Sequence, residues 1–456
     1  MSTNASRRAF LQRASALSLA GSAAPWALNL AALGEAAGAT ATDYKALVCV
    51  FLYGGNDYAN TLIPYDNARY ALYQGMRPTL AYAQSALAPT LLTPNLALPG
   101  GIQYALAPAL GPLLPLFNAG RMGVLLNVGT LVQPTSKAQY TANAVPLPPK
   151  LFSHNDQQSV WQSSSPEGAT SGWGGRMGDL FEAGNGNATF TCVNVSSNAV
   201  FLSGRQAVQY QVSTSGPVAL SASKTLFGSA ACAAELKRLT TAPGSHPFET
   251  EYAQVMARSL SAGSQLGTAL GGGSTLATAF PTGNALADQL KLVARMIGSA
   301  SAIGAKRQVF FVSMGGFDNH DGLATLHPGL MATLADALSA FDAATLEMGV
   351  SSQVTTFTAS DFGRTLTGND GSDHGWGSMH FMLGGAVHGG RFYGIAPVVA
   401  NNGPDDVGQG RLLPSTSVDQ YAATLGRWFG LSDAELLNVL PNLANWNASQ
   451  RQLGFV

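Results

Sequence analysis

Ala46 to Tyr53 reads ALVCVFLY, an unbroken apolar run of strand length. A strand with no polar side has no face to give to water, so such a run fits the centre of a parallel sheet packed between helices. Gly54-Gly55-Asn56-Asp57 ends the run. The glycines let the backbone turn sharply and approach a ligand, while Asn56 and Asp57 supply oxygen donors. An Asx-type turn without chemistry accounts for the same four residues. G-x-G-x-x-G is missing, so this is not a dinucleotide fingerprint.

The same plan recurs along the chain. Met122 to Val128 (MGVLLNV), Gln308 to Ser313 (QVFFVS) and Val354 to Thr358 read as further buried strands, and Phe381 to Val387 is another apolar run. Between the first two strands, Leu106, Leu110, Leu113, Leu114 and Phe117 recur at helical spacing. Tyr104 to Phe117 is therefore expected as a helix, and strand–helix–strand implies a parallel sheet. Leu286 to Ile303 is amphipathic, and His327-Pro328 opens a helix whose Leu330, Leu334, Leu338 and Phe341 form one apolar stripe. Asp419 to Phe429 and Asp433 to Leu440 are short helices near the end. The fold class expected is α/β, a doubly wound and mostly parallel sheet with helices on both faces. Residues 185–283, rich in Ser, Ala, Gly and Thr, read as an insertion or cap with helical patterns at Leu226 to Leu239 and Glu249 to Leu270. Gly271-Gly272-Gly273-Ser274 reads as a flexible connector, since no Lys follows to make a phosphate loop.

Of the 456 residues 46% are hydrophobic and only 11% charged, with a net charge of -1. That excludes a nucleic-acid footprint and any strong steering of charged partners. Three cysteines neither frame a disulfide scaffold nor show metal-ligand spacing. Cys49 reads as a small buried hydrophobe, and a Cys192–Cys232 bridge is open in an oxidising compartment.

Ser6-Arg7-Arg8-Ala9-Phe10-Leu11, the mild Ala/Leu/Ser segment after it and Ala37-Gly38-Ala39 have the layout of a twin-arginine export signal over residues 1–39. The expectation is export by the twin-arginine translocase to the periplasm or beyond, with residues 40–456 forming one domain. No other apolar run reaches the roughly 18–20 residues of a membrane-spanning helix.

Each strand-like run is followed by a polar cluster: Asn56/Asp57, Ser153/His154, Asp318/His320, and Asp361 with Asp373/His374. In a doubly wound sheet such ends share one edge, where ligands bind. Asp318 and His320 lie two apart, so in an extended segment both project to one side. Together these carboxylates and imidazoles suit one or two divalent ions, Zn or Mn before Ca. A His–Asp hydrogen-bonded loop without metal is the plainer reading of Asp318/His320, and a helix N-cap that of Ser153.

Phe51-Leu52-Tyr53-Gly54-Gly55-Asn56-Asp57, Ser153-His154, Gly316-Phe317-Asp318-Asn319-His320, Ser360-Asp361-Phe362-Gly363-Arg364-Thr365 and Asp373-His374-Gly375 resemble the motifs of an exported family called domain of unknown function 1501. That family is in turn similar to the alkaline phosphatase, sulfatase and cofactor-independent phosphoglycerate mutase superfamily. The resemblance implies an alkaline phosphatase-like fold and a metal-dependent hydrolase or transferase acting on a small anionic ester. By motif it makes Asp57, Asp318, His320, Asp361, Asp373 and His374 candidate metal ligands and puts Ser153 in the nucleophile's place beside His154. The superfamily carboxylate at Asp361 is typically followed by His, but Phe362, which cannot ligate, follows it here. Arg364 could instead bind an oxyanion as a fixed bidentate cation. A non-catalytic exported binding or surface-assembly protein on the same fold is the alternative, and a serine hydrolase without metal a third reading.

Overall fold

The computed structural model describes residues 41–456 apart from 218–223 and 274. The twin-arginine stretch lies outside the described residues. The strands, in chain order, are β1 (Lys45–Leu52), β2 (Leu62–Pro64), β3 (Tyr104–Leu106), β4 (Met122–Gly129), β5 (Cys192–Asn194), β6 (Tyr210–Gln211), β7 (Arg307–Met314), β8 (Val354–Ser360), β9 (Ser378–Leu383), β10 (Arg391–Gly394) and β11 (Thr416–Ser417). The main helices are α1 (Asn67–Met76), α2 (His154–Ser163), α3 (Trp173–Phe181), α4 (Ala230–Thr241), α5 (Pro247–Gly272), α6 (Ala285–Gly298), α7 (Leu323–Glu347) and α8 (Val418–Phe429).

β1 is central, as its composition requires: it pairs in parallel with β7 on one side and β8 on the other. The sheet runs β10-β4-β9-β8-β1-β7-β5-β6, with β11 also on β4. Alternate residues of β1 serve two cores. Ala46, Val48, Val50 and Leu52 pack with Leu290 and Val293 of α6 and Leu334 and Leu338 of α7. Leu47, Cys49 and Phe51 face Trp173 and Met177 of α3 and Leu425 and Phe429 of α8. Helices therefore cover both faces, and the mostly parallel α/β sheet is the one expected.

Four local expectations change. Tyr104 to Phe117 is β3, a 3-10 turn (Pro108–Leu113) and a short helix (Leu114–Asn118). The leucine spacing imitates a helix, but Pro108, Pro112 and Pro115 remove backbone donors and break it up. β4 is not β1's neighbour, because β8 and β9 lie between them, and β9 runs antiparallel to both β8 and β4. The expected insertion contributes β5 and β6 to the edge of the central sheet before forming α4 and α5. α5 runs on through Gly271 and Gly272, where a connector was expected.

Cys49 and Cys192 are buried and Cys232 is exposed, all three free, so Cys192 and Cys232 are not bridged. No described helix is long and apolar enough to cross a membrane.

Candidate metal centre

The registers of β1, β7 and β8 bring Leu52, Met314 and Ser360 level with one another. The loops that follow therefore begin at one height, and glycine lets them stack. Gly54 has φ +116°, and a Cβ on it would lie 2.4 Å from the Asp318 backbone nitrogen. Gly55 has φ +84°, with the Phe362 ring filling the same kind of space. Only residues without a side chain fit there. Ser360 bolts the level ends together, its Oγ donating to the Leu52 carbonyl at 2.6 Å and accepting from the Asn56 N–H at 2.9 Å.

Asp361 follows directly and is fully buried. His154 and Gln158 lie one helical turn apart on α2, on one face of the helix, and both reach its Oδ2. His154 Nδ1 is at 2.6 Å and Gln158 Nε2 at 2.7 Å. In the neutral ring, donation from Nδ1 leaves His154 Nε2 as a lone pair, and that atom is buried without a hydrogen-bond partner, 3.4 Å from Asp318 Oδ2.

His374 is arranged the same way from the opposite side. It faces Arg364 across an antiparallel bridge, and its Nδ1 donates to the Phe152 carbonyl at 2.6 Å. Phe152 holds φ +73° to aim that carbonyl, a left-handed strain for a bulky residue. His374 Nε2 then lies 3.2 Å from Asp318 Oδ1 and 3.0 Å from His320 Nε2. His320 Nε2 is itself 3.0 Å from Asp318 Oδ1. Donor atoms of His154, Asp318 and His374 come within 4.8 Å of one another, as do those of His320, Asp373 and His374.

Charge is set by the loops. Burial pushes the Asp318 carboxyl up, but the hydrogen bond and charge of Arg364, 2.5 Å away, outweigh it and hold Asp318 below its ordinary range. Asp373 is likewise held low against burial, by the His374 backbone N–H and by Arg411. The Asp361 hydrogen bond raises His154 above an ordinary histidine, with burial opposing. Burial lowers His374. Phe362 lies against both imidazoles, with centroids at 4.9 Å from His154 and 4.8 Å from His374.

The cluster brings together His154, Asp318, His320, Asp373 and His374, with Asp361 behind His154. Asp57 has another partner. Arg77 takes Asp57 Oδ1 at 2.8 Å and Oδ2 at 2.7 Å, both residues being buried. Ser153 Oγ donates to Asp156 Oδ2 at 3.0 Å and not to an imidazole. Arg364 is fully buried, bonding Asp318, the Gly54 carbonyl and Ser372, so its fork is occupied by protein. Sequence reasoning missed Gln158, whose signal was its place four residues after His154. It also missed Arg77 and the Phe152 carbonyl, which carry no such signal. Beside His320 and Asp373 a groove of about 510 Å³ opens, lined by Thr365, Thr367, Asn369 and Gln409. A larger groove of about 970 Å³ by α4 and α5 has no His, Cys, Asp or Glu in its lining.

A model of the family described as protein of unknown function (DUF1501) matches residues 44–440. The chain belongs to the DUF1501 family. No curated protein matches this DUF1501 chain. Among solved structures, a PsFucS1 sulfatase from Pseudoalteromonas sp. is 11% identical with a TM-score of 0.34, covering 89% of this chain and 70% of that one. Ps i-CgsB is 10% identical both alone and in complex with k-i-k-neocarrahexaose, with TM-scores of 0.36 and 0.35, each pair covering 89% and 77% of the two chains.

Proposed function

We propose that this chain is an exported, metal-dependent hydrolase of phosphate or sulfate esters. One observation carries the reading: His154 Nε2, orphaned and buried, faces the Asp318 carboxylate and His374. Imidazoles whose far nitrogen is fixed by a carboxylate or a carbonyl are the usual dress of a metal ligand. Mixed N and O donors suit a borderline transition ion such as Zn²⁺ or Mn²⁺. Such an ion would supply an activated water and neutralise charge on a phosphoryl or sulfuryl group. The protein's part is orientation. Asp361 and Gln158 hold His154, Phe152 holds His374, Arg364 keeps Asp318 ionised, and the groove beside His320 takes the remainder of the ester. Ser153 is engaged by Asp156, which favours water over a serine nucleophile. Residues 6–11 support export.

Elemental analysis of protein folded in the cytoplasm, paired with a screen of phosphate and sulfate esters, tests the reading. A tightly held transition metal and turnover abolished by His374→Ala are expected; metal-free protein without turnover overturns it. Phe362, where the superfamily pattern carries His, favours a second reading, a binding protein that has lost catalysis. Metal-loaded protein that turns over no ester, with rates equal to Asp318→Ala and His374→Ala, supports that one.

A further inference from the structure

We infer that the centre holds one ion, not two, with His154, Asp318, His320 and His374 as its ligands, and that Arg77 is the built-in counter-charge where a second cation would otherwise be needed. The inference rests on the metal-dependent reading above.

Three observations lead to it. The first is the number of free donor atoms. His374 belongs to both candidate ligand groups, yet its Nδ1 is spent on the Phe152 carbonyl. A single Nε2 lone pair binds one ion, so the two groups cannot each hold their own. The second is spacing. Four ligands at the 2.0–2.1 Å bond lengths of a tetrahedral zinc site stand about 3.3 Å apart. His374 Nε2, His320 Nε2 and Asp318 Oδ1 stand 3.0, 3.0 and 3.2 Å from one another, and His154 Nε2 lies 3.4 Å from the other oxygen, Asp318 Oδ2. Asp318 offers both oxygens, Oδ1 toward His320 and His374 and Oδ2 toward His154. The Arg364 bond to Oδ1 leaves that oxygen a further lone pair.

The third is what became of the remaining carboxylates. Asp57 is closed off by a guanidinium whose five N–H groups are all satisfied: Nε by the Leu366 carbonyl, Nη1 by Asp57 and Asn60, Nη2 by Asp57 and the Thr365 carbonyl. Arg77 is fully buried and keeps its charge. It ties the loop after β1 to the loop carrying Arg364, the linkage a bridging metal would provide. Asp361 Oδ2 is taken by His154 and Gln158, and its Oδ1, buried without a partner, is a single donor and too few to hold a second ion by itself. Asp373 is more than half exposed, with its Oδ1 3.8 Å from His320 Nδ1, outside the tight set.

The test is titration of Zn²⁺ into metal-depleted full-length protein against a competing chelator, with Co²⁺ as a spectroscopic probe. One equivalent per chain is expected, together with intense visible Co²⁺ bands of a four-coordinate ion. His154→Gln and His374→Gln, checked for folding by circular dichroism, weaken Zn²⁺ by more than about 100-fold, beyond what loss of an outer partner costs. Asp373→Asn changes affinity less than about threefold. Two equivalents of similar affinity, no binding, or unchanged affinity in His154→Gln each overturn the inference. Ester hydrolysis with two ions bound sinks it and leaves the hydrolase standing. One ion and no turnover keeps it and sinks the hydrolase.

Discussion

His154 Nδ1 stands 2.6 Å from Asp361 Oδ2, while the ring's other nitrogen, buried and unpartnered, faces Asp318. The carboxylate thus fixes which nitrogen is free, and it does so from a fully buried position. Replacing Asp361 with Asn leaves an amide that can present its N–H₂ to Nδ1 and select the other tautomer. Zn²⁺ affinity should fall about 10–100-fold, measured by chelator competition, with the circular dichroism spectrum unchanged. An Asp361→Asn protein that binds Zn²⁺ like the wild type would remove the orienting role.

The Arg77–Asp57 pair makes a prediction about stability. Both groups are buried, and burial alone would raise the Asp57 carboxyl, but the Arg77 charge and hydrogen bonds override it and hold Asp57 low. Arg77→Met strands a buried carboxylate and should cost about 3–5 kcal/mol in urea unfolding. Arg77→Met combined with Asp57→Asn should cost clearly less than the sum of the two single changes. Strict additivity would mean the pair is not coupled.

Two histidines away from the cluster set the acid limit. Burial lowers His327 to about 4 and His380 to about 3 from an ordinary 6.5. Between 6.5 and those values the unfolded chain binds protons that the folded chain refuses. Their contribution is complete above pH 6.5 and is lost as pH falls toward 4 and then 3. In the limit it is on the order of 3–5 kcal/mol per imidazole. Urea midpoints should drop between pH 7 and pH 4.5, before most carboxylates titrate. His327→Asn should flatten part of that slope; a flat wild-type profile would contradict the assignment.

Gly54 tests the stacking of the loops. A methyl group there meets the Asp318 backbone at 2.4 Å in a left-handed backbone region. Gly54→Ala should cost about 1–3 kcal/mol and weaken Zn²⁺ binding as well, because Asp318 must shift. Gly283, also at positive φ but with open space around it, is the control. Its Ala variant should lose stability without touching the ion.

The strands were legible because a doubly covered strand is largely apolar, as β1, β4 and β7 are, while β8 (VTTFTAS) shows itself by β-branched and aromatic residues. Strand direction was not: β9 is as apolar as its neighbours, and only the pairing shows it to be antiparallel. Leucine spacing misled at Tyr104 to Phe117, where three prolines carried the better information. At the centre, Asp318, His320 and His374 could be picked out because each follows a strand in a polar, glycine-rich loop. The place of Asp57 could not, since its partner Arg77 lies 20 residues away with no local pattern to flag it. Nor could the sequence say that Asp361 stands behind His154 rather than beside Asp318. That depends on where a helix 200 residues earlier comes to rest.

His154 and His374 are 220 residues apart in the sequence, and their ring nitrogens come close only when β1, β7 and β8 are level and the loop after Asp361 has closed over Gly55. No partial product of synthesis or proteolysis ending before Gly375 could possess the pocket. Capture of an ion would therefore report that the chain has been made and folded at least as far as His374, in whichever compartment that happens.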